Sequence, residues 1–186
     1  LPLEWQWNHN PANDYWAFED GALRLTNGRV DADLENTQNT LTQRSFGPTC
    51  SGWTKMSTKG MKDGDCAGLC ALQDLYGYVG VKMNNGSKSI VMVNAGGGSP
   101  KEVEAVPLSQ DNVWFRIDMN FNNQTDKATF YYSLDGATWK AIGNTLSMKY
   151  ELTHFVGYRY GLFNFGTKSA GGYVDFDFFK IGEDVE

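Results

Sequence analysis

Two indoles, an imidazole and three amide side chains fall within seven residues in Trp5-Gln6-Trp7-Asn8-His9-Asn10-Pro11. Read as an extended strand, this segment sets aromatic faces among hydrogen-bonding groups. That combination suits a sugar, whose C–H faces lie against a ring while each hydroxyl needs a polar partner. The period-two alternation of Trp5 and Trp7 with Gln6 and Asn8 equally fits a strand that buries its indoles, and the two readings are compatible. Further along, Tyr76 and Tyr78 share one strand face with Lys82, opposite Val79, Val81 and Met83. The tyrosines form either a stacking platform or a cross-strand aromatic pair, and Gln73 and Asp74 supply polar groups at the same end.

Catalytic patterns are missing. The Glu-x-Asp-x-x-Glu strand of retaining glycanases, which holds carboxylates about 5–5.5 Å apart, does not occur. The nearest pairs, Glu102/Glu104 and Asp175/Asp177, lack its third acid. A lyase of the alginate type would need Gln-x-His beside a Tyr-rich strand, and Tyr158-Arg159-Tyr160 is only a loose echo of the latter. Gly-x-Ser-x-Gly is absent too. The two histidines, His9 and His154, are isolated, and Cys50, Cys66 and Cys70 match no zinc spacing. Cys66 and Cys70 lie about 13 Å apart along a strand, too far to bond. Either Cys50 pairs with one of them or all three are small buried hydrophobes.

These side chains must be held by strands, because the chain shows almost no helical period. Val113, Phe115, Ile117, Met119 and Phe121 alternate with polar residues along a half-buried strand. Asp135-Gly136 between 127–133 and 138–142 predicts a two-residue hairpin, while the surrounding Ser133-to-Trp139 run resembles a shortened Asp-box that the hairpin accounts for. Further strands are expected near 21–27, 39–46, 52–58, 66–73, 76–83, 88–94, 102–108, 158–165 and 172–181. A dozen short strands within 186 residues predict one all-β domain over 1–186, a two-sheet antiparallel jelly-roll sandwich. A chain of this length buries roughly 70% of its unfolded surface. Its net charge of −6 argues against nucleic acid, and no apolar run reaches membrane-spanning length. The chain begins at Leu1 without Met and reads as an excised module.

Five motifs in order carry a family resemblance: Leu3 to Pro11, Gly21-Ala22-Leu23-Arg24-Leu25, Asp63-Gly64-Asp65-Cys66-Ala67-Gly68-Leu69, Tyr131-Tyr132-Ser133-Leu134-Asp135-Gly136 and Gly171 to Phe179. Together they resemble the C-terminal concanavalin-A-like β-sandwich of family 43 glycoside hydrolases, also classed as family 91 carbohydrate-binding modules. The resemblance implies a non-catalytic, secreted module that takes xylan or xylo-oligosaccharide. An appended propeller would carry the hydrolase chemistry. The alternative it implies is a structural domain that packs on that propeller without binding polymer. By the same resemblance the sugar site lies where Trp5–Asn10 meets Asp74-Leu75-Tyr76-Gly77-Tyr78, with Trp7 or Tyr78 stacking, Tyr76 among the site residues, and Gln6, Asn8, His9, Asn10, Gln73 and Asp74 hydrogen bonding. Asn8-His9 stands where many relatives have His-Ala. No cofactor is required, although such sandwiches can hold a structural calcium, implied here at Asp175 or Asp177. Many relatives also carry an Asp-x-Phe strand just before the position of Leu3, which this sequence lacks.

Overall fold

The alternation of apolar and polar residues between Asn112 and Asn120 becomes a strand whose apolar side chains are buried and whose polar ones are half-buried or exposed. The computed structural model describes residues 1–149 and 157–183. Among them are fifteen strands: β1 (Trp5–Trp7), β2 (Trp16–Glu19), β3 (Ala22–Thr26), β4 (Leu41–Arg44), β5 (Thr49–Ser57), β6 (Asp65–Leu72), β7 (Gly77–Asn84), β8 (Ser87–Asn94), β9 (Lys101–Leu108), β10 (Asn112–Asn120), β11 (Lys127–Ser133), β12 (Lys140–Ala141), β13 (Leu146–Ser147), β14 (Arg159–Gly166) and β15 (Tyr173–Gly182). One sheet runs β1-β4-β14-β6-β7-β8-β9. The other runs β12-β11-β10-β5-β15-β3-β2, with β13 paired to β11. All ladders between these strands are antiparallel, and the all-β sandwich expected from the sequence is present.

Between the sheets lies one apolar core, with Leu25, Met56, Phe115, Phe130, Phe176 and Tyr160 nearly sealed from solvent. Trp5 and Trp7 turn inward: Trp5 meets Phe179 with ring centroids 5.3 Å apart, and Trp7 meets Trp16 at 5.3 Å. Gln6 therefore points to the opposite, outer face. A second apolar layer covers part of that face, where Phe163, Phe165, Tyr78, Cys66, Cys70 and Val93 pack with Leu34 from the 27–40 loop. All three cysteines are free and buried. Burial pushes the Cys66 thiol up to about 12, as expected for inert, hydrophobe-like thiols.

Two polar arrangements complete the frame. Buried Asp65 accepts hydrogen bonds from Asn27 Nδ2 (2.9 Å) and the Lys62 amide (2.7 Å), tying the start of β6 to the end of β3. A Cβ at Gly172 would collide with the Asp65 carboxylate. Around Asp135 the loop differs from the expected two-residue hairpin, since Tyr132 pairs with Lys140 and leaves a longer connection. The Asp135 carboxylate accepts from the amides of Ala137 (2.8 Å) and Thr138 (2.7 Å). These bonds hold its pKa well below the usual carboxylate range. An acidic side chain capping its own loop replaces the tight turn.

Candidate functional site

Strands β1, β4, β14 and β6 lie side by side, so their outward side chains meet at one end of the first sheet. Gln6 is opposite Thr42, Thr42 opposite Gly161, and Arg159 opposite Leu72. Gly161 carries no side chain there, and a Cβ would meet Cys70 Sγ at 2.6 Å. The surface opens into a concavity of about 470 Å³. Loops close its sides: residues 8–9 follow β1, Glu35 belongs to the 27–40 loop, and Gln73 to Tyr76 follow β6.

Seven of the nine residues expected at a sugar site come together here: Gln6, Trp7, Asn8, His9, Gln73, Asp74 and Tyr76 all line the concavity. Asn10 does not, and its carbonyl accepts from Gln38 Nε2 at 3.4 Å. Tyr78 does not line it either, and packs in the second apolar layer with its ring edge-on to Phe163 at 4.9 Å. Its ring is nearly parallel to that of Tyr76 at 6.5 Å. Both rings are buried, Tyr76 at 4% exposure, and Tyr76 alone of the two borders the concavity. Trp7 contributes to the wall while its indole packs on Trp16, so it belongs to the core and also borders the concavity.

Hydrogen bonds set the polar side chains. His9 Nε2 lies 3.2 Å from the Glu35 carbonyl oxygen. A carbonyl only accepts, so Nε2 is the donor in this contact. Thr42 Oγ1 donates to the Gln6 carbonyl at 2.8 Å, and Arg159 Nη1 donates to Gln6 Oε1 and to Thr42 Oγ1. Tyr158 donates to the Leu75 carbonyl at 2.7 Å, fixing the 73–76 segment against the start of β14. Burial pushes the Tyr76 phenol up to about 12, so it remains a neutral donor at ordinary pH. Sequence reasoning missed Glu35, Leu72, Gly157 and Arg159. Arg159 belonged to a noticed Tyr-Arg-Tyr triplet, but its strand partners lie more than eighty residues away and no local pattern reveals them.

The paired acids have other engagements. Glu102 meets Lys82 Nζ at 2.5 Å, whereas Glu104 accepts from the Gly143 amide at 2.7 Å. Asp175 receives two hydrogen bonds from Arg24, at 2.7 and 2.9 Å, and Asp177 meets Lys55 at 2.5 Å. An irregularity in the ladder between Phe176 and Phe178 separates the two aspartates. With both Asp175 oxygens held by a guanidinium, these residues do not fit a calcium site of six to eight oxygens. Among the described residues no cluster of three or more His, Cys, Asp or Glu could hold a metal. His154 lies outside the described residues.

The sequence pattern of the β-xylosidase C-terminal concanavalin A-like domain matches residues 1–182. A β-xylosidase of Formosa agariphila is 27% identical over 208 residues, taking in 99% of this chain and 34% of the relative. A putative β-xylosidase of Xylanibacter ruminicola is 33% identical over 80% of this chain and 26% of its own length. Among solved structures, a bifunctional GH43-CE protein of Bacteroides eggerthii superposes with a TM-score of 0.97 at 53% identity, covering 100% of this chain and 24% of that one. The chain thus spans about a quarter to a third of these relatives.

Proposed function

This chain belongs to the β-xylosidase C-terminal concanavalin A-like domain family, and from that premise we propose that it is a non-catalytic module binding xylan or arabinoxylan. In this reading it is one part of a secreted β-xylosidase or arabinofuranosidase and keeps the hydrolase near hemicellulose. One observation carries the reading: two segments more than sixty residues apart in sequence meet in a single concavity. It is walled by Gln6, Asn8, His9, Gln73 and Asp74, with the nearly sealed ring of Tyr76 and part of Trp7 beside them. Fixed donors and acceptors beside a partly exposed indole suit a pyranose. The carboxylates at 102/104 and 175/177, engaged by lysine, arginine or backbone amides, offer no glycosidase pair.

Affinity electrophoresis tests this reading. The chain should be retarded by xylan or arabinoxylan with Kd on the order of micromolar to millimolar, roughly −4 to −8 kcal/mol. Alginate should have no effect, because a net charge of −6 repels a dense polyanion. His9→Ala should weaken xylan retardation about threefold to tenfold, the worth of one hydrogen bond, without lowering the melting temperature. Retardation equal to the parent's would remove His9 from the site. No retardation by any xylan would sink the function.

A second reading, a domain that packs on its catalytic partner and shapes the active site, draws support from exposed apolar residues at the same end. Leu3 is 99% exposed, and Leu1 and Phe46 are also open. Leu3 precedes β1 and Phe46 follows β4, so both leave the same end of that strand pair. Exposed aliphatic and aromatic groups near an arginine suit a protein interface. In this case the chain ignores xylan while still raising the stability of the whole enzyme.

A further inference from the structure

Resting on the sugar-binding reading of the pocket, we propose that Arg159 in its strand-face wall and the adjacent Arg44 form a carboxylate receptor, selective for a xylan chain bearing a uronic acid branch. The two arginines are direct partners in the antiparallel β4–β14 ladder. Opposed residues of such a ladder have Cβ atoms about 4.5–5.5 Å apart, and like charges set opposite each other are destabilising. The chain has five arginines. Three are matched with acids: Arg24 with Asp175, Arg29 with Asp31 and Arg116 with Asp118. The remaining two face each other, and among the described residues no carboxylate forms an ion pair with either.

Arg159 is half-buried, and its Nη1 donates only to the neutral oxygens of Gln6 and Thr42. These acceptors satisfy hydrogens without offsetting charge. Burial first, and Arg44 second, weaken the hold of Arg159 on its proton. Two acids, Glu35 and Asp74, line other parts of the pocket. A half-buried cation opposed by a second cation, beside an open concavity, is an arrangement that an arriving anion relieves. A carboxylate matches the planar guanidinium fork, which makes two parallel hydrogen bonds to it. Xylan presents one when a uronic acid is attached to a backbone xylose. The repelling net charge disfavours a polyuronate, yet a single branch carboxylate can reach the local positive pair across a screening distance of about 8–10 Å.

Isothermal titration calorimetry with xylotetraose, and with xylotetraose carrying one glucuronic acid branch, tests the inference on the intact chain. The branched acid should bind about tenfold tighter at low salt, the gain of a charge-assisted hydrogen bond, and the ratio should shrink at high salt. Arg44→Gln should bring the ratio of the two affinities close to one and raise the melting temperature of the ligand-free chain by relieving the repulsion. Arg159→Gln should also abolish the ratio, and Arg159→Lys should keep part of it. Equal affinity for the two oligosaccharides in the parent chain overturns the receptor while leaving the xylan site standing. A preference that survives both glutamine substitutions overturns it too, by moving the acid elsewhere. Binding of neither oligosaccharide removes the sugar site together with the receptor.

Discussion

Tyr76 and Tyr78 lie nearly parallel with ring centroids 6.5 Å apart, yet their surroundings differ. Only Tyr76 lines the pocket. The Tyr78 ring is enclosed by Phe163 and Phe165 from β14, and its hydroxyl has a weak partner, Cys66 Sγ at 3.7 Å. Tyr78→Ala should therefore destabilise the fold by about 3–5 kcal/mol, as for other large-to-small aromatic substitutions in a core. Tyr78→Phe should cost less than about 1.5 kcal/mol, since only a thiol contact is lost. Urea denaturation measures both, and a near-neutral alanine variant would show that the ring is not packed as described. The sequence made the pair legible as neighbours on one face. It did not reveal that both are buried, because the rings packed on Tyr78 arrive from residues 163 and 165. The same holds for the Arg44–Arg159 pairing, which exists only once β4 and β14 align.

At the scale of elements, most strands were legible because period-two alternation survives in them. The expected 88–94 and 102–108 strands differ from β8 and β9 by one residue at the start. Strands β6 and β7 depart from the pattern, buried on both faces over most of their length. They carry Gly68 and Gly80 as direct ladder partners. A Cβ on Gly80 would collide with the Ala67 carbonyl oxygen, and one on Gly68 would lie 2.5 Å from Gly80 Cα. Glycine in a strand interior marks such a close backbone approach. Gly80→Ala should therefore destabilise the sandwich by at least about 1–3 kcal/mol, the range of overpacking, visible as a lowered urea midpoint. An unchanged midpoint would mean that β6 and β7 separate freely, contrary to their close pairing. The short connection around Asp135 was misread for a complementary reason. Asp-Gly is a strong hairpin signal, but a carboxylate that accepts two amides of its own loop favours a wider turn over the two-residue one.

For the molecule as a whole, the sheet that bears β15 is held on its outer face by fixed charges. Arg24 links Asp175 with Glu19, its guanidinium 3.9 Å above the Tyr173 ring centroid, and Lys55 pairs with Asp177. A divalent cation at Asp175 would have to displace a guanidinium that already makes two hydrogen bonds to it. It would also leave that cation half-buried beside an aromatic face. Cation–π contact and a two-bonded pair both favour the present arrangement. Global stability should consequently be independent of calcium. Treatment with a chelator, followed by added calcium, should leave the melting temperature unchanged at each step. Arg24→Gln should lower it by removing the link between β2, β3 and β15. A clear fall on chelation, reversed by calcium but by no monovalent cation, would sink this assignment and restore Asp175 or Asp177 as an oxygen ligand of a structural metal.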